Sequence, residues 1–552
     1  MSAARARPSF LRSAGVVGFM TLLSRITGML QSRLLANYLG AGLAADSFMV
    51  AFRIPNLLRR FTAEGTMTAA FLPTVNEVES TQGPQAGREM VARFLGTLGV
   101  FLTLLCALSI PAMGLFTGLQ MLGRLAPEVR WWQQLGVLRE VLAGTRAAPV
   151  QWVLTTTLAR IMIPYLVLVS LTAGLAAVLN LRGRFGLPAS VSTFWNLAFI
   201  SFGWACLSWG PAAWRAPERA AVCLALATLV GGLVQLFVLW PSFRRLGFGI
   251  RWGLYLRHPG VRSALKRMAP GLMGTGIHPI NVVISTILAS QLAVGAQTVL
   301  FNSNMMGEMV LGIFAASVAT VSLPTMSRLV ESGDLPGLET SLASALRGTA
   351  VLVIPGSVGM AVLAGPIIAL IFQTGRYGTS AVAWTAHTVA FQAAGLLFIA
   401  TGRIAAQCLY ALKDYRRPAY AALLGIAVNV AVSIALMGPL GTGGIALANG
   451  AASLAGVVFL TMSLRRRLDA LPYRAVLGGW ASMALASALM GALAYAGALW
   501  MGLGVFRGVG HMSLRLFPLI ALCALVYAGL LFAFRVPEAR SLKAMVLRKL
   551  RR

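Results

Sequence analysis

Ala51-Phe52-Arg53-Ile54-Pro55-Asn56-Leu57-Leu58-Arg59-Arg60-Phe61-Thr62-Ala63-Glu64-Gly65 sets three arginines and a glutamate inside an otherwise apolar stretch. The apolar span before it carries a fourth arginine, Arg25. An arginine at the centre of a membrane helix costs roughly 2.5–3.5 kcal/mol on insertion scales, so four within two helices imply a wet, protein-lined cavity rather than a lipid-facing surface. Such a cavity selects an anion. On a helix turning by about 100° per residue, Arg53, Arg60 and Glu64 fall within about 40° of one another, and Arg59 points away by roughly 100°. Pro55 loosens the local hydrogen bonding and bends this stripe inward.

The rest of the chain supports a membrane setting. Its 552 residues are 58% hydrophobic and only 11% charged, with a mean hydropathy of +0.78, far outside the soluble range. Apolar segments long enough to cross a hydrocarbon core recur from end to end and predict an all-α integral membrane protein of about 14 transmembrane helices. The first, 12–37, reads as a retained helix rather than a cleaved signal, because it runs through Arg25 into more apolar sequence. A formal charge of +31 raises nucleic acid as a partner, yet the basic residues are dispersed among short loops. Nucleic acid is therefore excluded. With the amino terminus placed inside, the even-numbered loops and both termini hold most of the 46 lysines and arginines, which puts both ends in the cytoplasm. The basic loop 243–267 and the basic tail are expected to lie against anionic membrane lipids. The outer stretch 118–150 predicts a short amphipathic helix near Trp131–Leu142.

Two internal echoes divide the chain. Leu72-Pro73-Thr74 followed by Val78-Glu79-Ser80 is matched by Leu323-Pro324-Thr325 followed by Val330-Glu331-Ser332, and Pro188-Ala189 is matched by Pro418-Ala419. They predict two parallel six-helix bundles, 1–242 and 243–463, with two further helices and a basic tail in 464–552. Paired halves of this kind suit alternating access around a site near the bilayer midplane.

Further polar residues lie on the predicted helices. Thr21, Arg25, Gly28 and Ser32 share one side of the first span. In the eighth, 300–326, Asn304 and Glu308 are one turn apart, and Glu308 needs a partner. In the tenth, 384–411, Gln392, Arg403 and Gln407 form a stripe, so Arg403 can add positive potential. The competing structural reading pairs Arg25 with Glu64 or Glu308 as a bundle fastener, or lets Arg53 snorkel to a headgroup. His278 and Asn281 read as packing residues. All five cysteines fall inside predicted helices, and no metal-ligand cluster, phosphate loop or nucleophile motif is present. The sequence therefore predicts a transporter with no metal and no cofactor, not an enzyme. Guanidinium forks match phosphate oxygens bidentately, which favours a substrate with concentrated charge such as a pyrophosphate.

Several stretches resemble a known family: Ser24-Arg25-Ile26-Thr27-Gly28, Gly40-Ala41-Gly42 with Asp46-Ser47-Phe48, and above all Ala51 to Gly65. Ala269-Pro270-Gly271 leading to Ile280-Asn281, Leu288-Ala289-Ser290, Leu323-Pro324 and Phe372-Gln373-Thr374-Gly375 continue the likeness in order. These resemble the MurJ (MviN) lipid II flippases of the multidrug/oligosaccharidyl-lipid/polysaccharide superfamily. The resemblance implies a fourteen-helix transporter of the bacterial inner membrane that moves the undecaprenyl-pyrophosphate-linked peptidoglycan precursor to the outer leaflet. It implies cavity arginines on the pyrophosphate and a lipid-tail groove formed by the last two helices. By position, Arg25, Arg59, Arg60 and Glu64 match the family pattern, Asp46 matches an acidic residue near the outer end of the first hairpin, and Arg53 stands where a basic residue is common. Two departures mark a divergent member: Gln31-Ser32 stands where Arg-Asp is expected, and Asn304-Met305 where an acidic-arginine pair is expected. The competing functions are flipping another lipid-linked oligosaccharide, multidrug export, or a non-transporting scaffold that binds cell-wall synthesis proteins. A multidrug exporter would favour acidic cavity residues.

Overall fold

The computed structural model describes residues 7–62, 71–126, 128–129, 133–275, 277–468 and 473–538. Their regular structure is helical, apart from one isolated bridge between Thr374 and Tyr377. The chain forms two compact units, Met1–Gln297 with Thr374–Tyr377, and Thr298–Gln373 with Gly378–Arg552.

The first unit contains α1 (Arg7–Leu39), α2 (Leu43–Thr62), α3 (Leu72–Gln82), α4 (Pro84–Gln120), α5 (Leu122–Leu125), α6 (Gln134–Leu142), α7 (Val150–Met162), α8 (Tyr165–Leu181), α9 (Gly186–Trp209), α10 (Pro217–Arg245), α11 (Pro259–Thr275) and α12 (Ile277–Ala289). Proline opens α4 and α10, where its missing N–H costs no intrahelical bond. α9 packs between α1 and α10, and α2 packs along α7. The amphipathic helix expected within 118–150 begins at Gln134, and Val137, Leu138 and Val141 bury one face against Leu125 and Ala126. Leu72-Pro73-Thr74 lies at the start of α3, with Pro73 in its first turn, and residues 63–70 before it lie outside the described residues. Its counterpart Pro324 lies inside α13.

The second unit takes in nearly all of α13 (Ala296–Glu331), together with α14 (Leu335–Val362), α15 (Ala364–Phe372), α16 (Thr379–Ala411), α17 (Arg416–Leu440), α18 (Thr442–Arg465), α19 (Tyr473–Trp500) and α20 (Val509–Ala533). Asp334 caps α14 by accepting from the Gly337 N–H at 2.8 Å. α16 and α18 cross at Gly395 and Gly450, where a Cβ on Gly395 would lie 2.5 Å from the Gly450 Cα. Small residues permit this approach in an apolar setting. Gly395→Val is expected to cost about 1–3 kcal/mol by forcing the helices apart. A lowered melting temperature in detergent checks it, and an unchanged one would refute the close crossing.

Among the described residues, ten helices are long and apolar enough to cross a membrane. α2 is not one of them. It carries Asp46, Arg53, Arg59 and Arg60, too many charges for a lipid-facing span.

Candidate functional site

α2 is held in rotation by aromatic packing in the first unit. Phe52 stacks on Phe48 at 6.2 Å and on Trp195 at 6.0 Å, and meets Tyr165 at 6.4 Å. With Phe52 locked, Arg53 is turned by about 100° onto another face. That face is interior, since Arg53 is only 5% exposed. Its Nη1 is buried and has no hydrogen-bond partner among the described residues. A buried guanidinium donor left unfilled is costly, typically about 1–3 kcal/mol and more for charged groups.

The counter-charge is Asp46, two turns earlier on the same helix and fully buried. It sits in the first turn of α2, where the helix dipole favours an anion. One carboxylate oxygen accepts the Gly295 N–H at 2.7 Å. Asp46 attracts both Arg53 and Arg124. Arg124, on α5, keeps Nε and Nη2 buried without hydrogen-bond partners among the described residues. Burial pulls the Arg124 guanidinium below its ordinary range, and the Asp46 charge opposes that shift. Around this carboxylate the ends of the helices are tied by polar contacts. Ser290 Oγ accepts the Gly123 N–H at 3.0 Å, and Gln297 Nε2 donates to the carbonyls of Gln120 and Thr286, each at 3.1 Å. The turn Thr374–Tyr377 joins the same end of the unit. Thr374 Oγ1 donates to Asn37 Oδ1 at 3.1 Å, and the Arg376 N–H donates to the Asn37 carbonyl at 3.2 Å. Gly375 has φ +48° and presses against Asn37, so a side chain fits there neither conformationally nor sterically.

Arg25 lies on α1 and is half-buried. Asn196 of α9 fixes the helix beside it, with Nδ2 donating to the Ser24 carbonyl and to Thr27 Oγ1, both at 3.0 Å. Arg59 and Arg60 occupy the last turn of α2, but their side chains lie outside the described residues, as does Glu64 entirely. In the second unit, Arg403 Nη2 meets Glu308 Oε1 at 2.9 Å. Glu308 thus has its partner. The two side chains are 43% and 51% exposed, an exposure that charges on membrane helices tolerate where water reaches them. Arg403→Gln is expected to change stability by less than about 1 kcal/mol, since exposed pairs contribute little. Thermal unfolding checks it, and a collapse of the fold would show the pair to be structural.

Arg124, Gly295 and Gln297 are not legible as site residues in the sequence. Arg124 reads as one more loop cation, and a backbone N–H carries no signal at all.

The family model described as "Lipid II flippase MurJ" matches residues 35–512. A relative from Vibrio cholerae, described as "Probable lipid II flippase MurJ", is 29% identical over 543 residues, covering 97% of this chain and 98% of its own. A solved structure described as "Lipid II flippase MurJ, inward closed conformation" shares the fold with a TM-score of 0.69 at 21% identity, covering 97% of this chain and 99% of its own. An inward-facing multidrug resistance MATE family transporter of the MOP superfamily matches with a TM-score of 0.63 at 12% identity, covering 80% and 95%.

Proposed function

We propose a function from one premise: the chain belongs to the lipid II flippase MurJ family. It is a transporter, not an enzyme, and its substrate is lipid II, the undecaprenyl-pyrophosphate-linked peptidoglycan precursor. The protein carries this lipid from the inner to the outer leaflet of the bacterial cytoplasmic membrane. Arg25, Arg53, Arg59 and Arg60 meet the pyrophosphate, with Glu64 balancing their charge. Asp46 acts at the outer end as a gate residue, and Glu308 with Arg403 lines the aqueous path. The full architecture is fourteen spans in two parallel six-helix bundles with two appended helices and both termini in the cytoplasm. The bundles alternate the exposure of the site, the isoprenoid tail stays in lipid beside the last two helices, and anionic lipids and cell-wall synthesis proteins are partners.

The observation that carries the site is Arg53, a nearly fully buried guanidinium with an unfilled donor. In a low-dielectric cavity that donor favours a phosphate oxygen strongly, and it repels a cationic drug. Gln31 and Met305 remove two cations the family resemblance leads one to expect, so the remaining arginines carry more of the binding. Purified protein in liposomes containing labelled lipid II tests this directly. Leaflet exchange dependent on the protein is expected, and binding without exchange would identify a scaffold instead.

A further inference from the structure

Residues 246–258, between α10 and α11, lie as a strap across the first third of α4. The Arg251 N–H donates to the Ala92 carbonyl at 2.9 Å, and the Tyr255 N–H donates to Thr97 Oγ1 at 3.0 Å. The Arg93 guanidinium lies 5.5 Å from the Tyr255 ring centroid, while Glu89 accepts from Arg93 at 2.7 Å and from Arg251 at 3.2 Å. Two glycines of α4 make room. A Cβ on Gly96 would overlap the Arg251 carbonyl, and one on Gly99 would lie 2.5 Å from the Trp252 ring.

Among the described residues nothing covers the other side of the strap. Leu254 and Leu256 are 52% and 54% exposed, and Trp252 keeps 59% exposure although one edge of its ring lies on Gly99, while Gly253 and Tyr255 are half-buried. The segment from Arg244 to Arg267 holds Arg244, Arg245, Arg251, Arg257, Arg262, Lys266 and Arg267, with no Asp or Glu. Arg251 and Arg267 are paired with Glu89 and Glu77. Arg245, Arg257, Arg262 and Lys266 are exposed, with no carboxylate in ion-pair range among the described residues.

Depth completes the argument. The last charge on α4 is Arg93, and the helix is uncharged from there to Gln120. A hydrocarbon core of roughly 30 Å takes about 20 residues at 1.5 Å each, so Gly96 and Gly99 fall where α4 enters the headgroup layer. Tryptophan favours this layer, and arginine beside it favours negative headgroups.

We propose that the strap is a docking site for anionic phospholipid headgroups, held by Arg245, Arg257 and Arg262, with Trp252, Leu254 and Leu256 seated at the acyl boundary. Because the backbone is already bolted to α4, little ordering remains to oppose lipid binding. The site rests on the cytoplasmic placement of loop 243–267 given above, and it is independent of which lipid is transported. His258 adds no charge at neutral pH, since burial and then Arg93 hold it below its ordinary range against the opposing pull of Glu89. Binding at neutral pH is therefore expected not to depend on His258.

Full-length protein, delipidated in neutral detergent, is titrated with phosphatidylglycerol and with phosphatidylcholine, and bound lipid is counted by native mass spectrometry. The triple variant Arg245→Gln/Arg257→Gln/Arg262→Gln is expected to weaken phosphatidylglycerol binding by at least about fivefold, the effect of one basic residue at an anionic surface. The corresponding triple lysine variant is expected to retain binding, because the attraction is one of charge. Gly96→Val, which evicts the strap with every cation intact, is expected to lose it. An unchanged preference for phosphatidylglycerol in the glutamine variant overturns the proposal, as does an equal loss in the control Arg416→Gln/Arg466→Gln/Arg474→Gln. Loss of a co-purifying protein with lipid binding intact also overturns it. Labelling of Arg257→Cys by an impermeant maleimide from outside the cell would instead refute the cytoplasmic placement.

Discussion

Arg53→Gln is expected to weaken lipid II binding by about ten- to a hundredfold and to abolish complementation of a flippase-depleted strain, while the protein still inserts and folds. The magnitude follows from a charge-assisted hydrogen bond, which contributes about 1.5–3 kcal/mol. The buried Nη1 has no partner among the described residues, and Asp46 keeps the attraction of Arg124 when Arg53 is replaced. Arg53→Lys keeps the charge but not the fork, and should fall between the two. Native mass spectrometry with lipid II, alongside inorganic pyrophosphate as competitor, measures the change. An unaltered affinity in the glutamine variant would remove Arg53 from the site.

The second large effect is expected at Asp46. Asp46→Ala leaves two guanidinium groups, Arg53 and Arg124, without the carboxylate that attracts both. The loss is expected to stay below the roughly 3–5 kcal/mol of a direct buried pair broken from one side, where the surviving charge stays desolvated. Asp46→Asn separates the causes. Its amide oxygen can still accept the Gly295 N–H, so any loss that remains is due to charge. Pairing Asp46→Ala with Arg53→Met should recover part of the stability, and the double-mutant cycle gives the coupling. Thermal unfolding in detergent reads all four states. Strict additivity would show that the two groups do not interact.

These two residues show how much of the site could be read before any coordinates. Arg53 and Asp46 both lie on α2, and a spacing of seven residues puts them on one face by helix geometry alone. The amphipathic helix α6 was likewise legible, because Val137, Leu138 and Val141 recur at helical spacing. Glu308 could be seen to need a cation, with Arg25 as its partner in the competing reading, and the fold of the second unit paired it with Arg403 instead.

The amino-acid sequence alone settled the membrane class, the helical content and the family. Each of these is a property of composition or of a short period, which backbone geometry imposes locally. Tertiary structure decided which distant groups act on each other: Arg124 in the field of Asp46, the Gly295 N–H on its carboxylate, the turn at Gly375 against Asn37, and the strap over Gly96 and Gly99. Those encounters depend on where helices can approach closely and how loops return. No local period encodes that, because it arises from the packing of surfaces far apart in the chain.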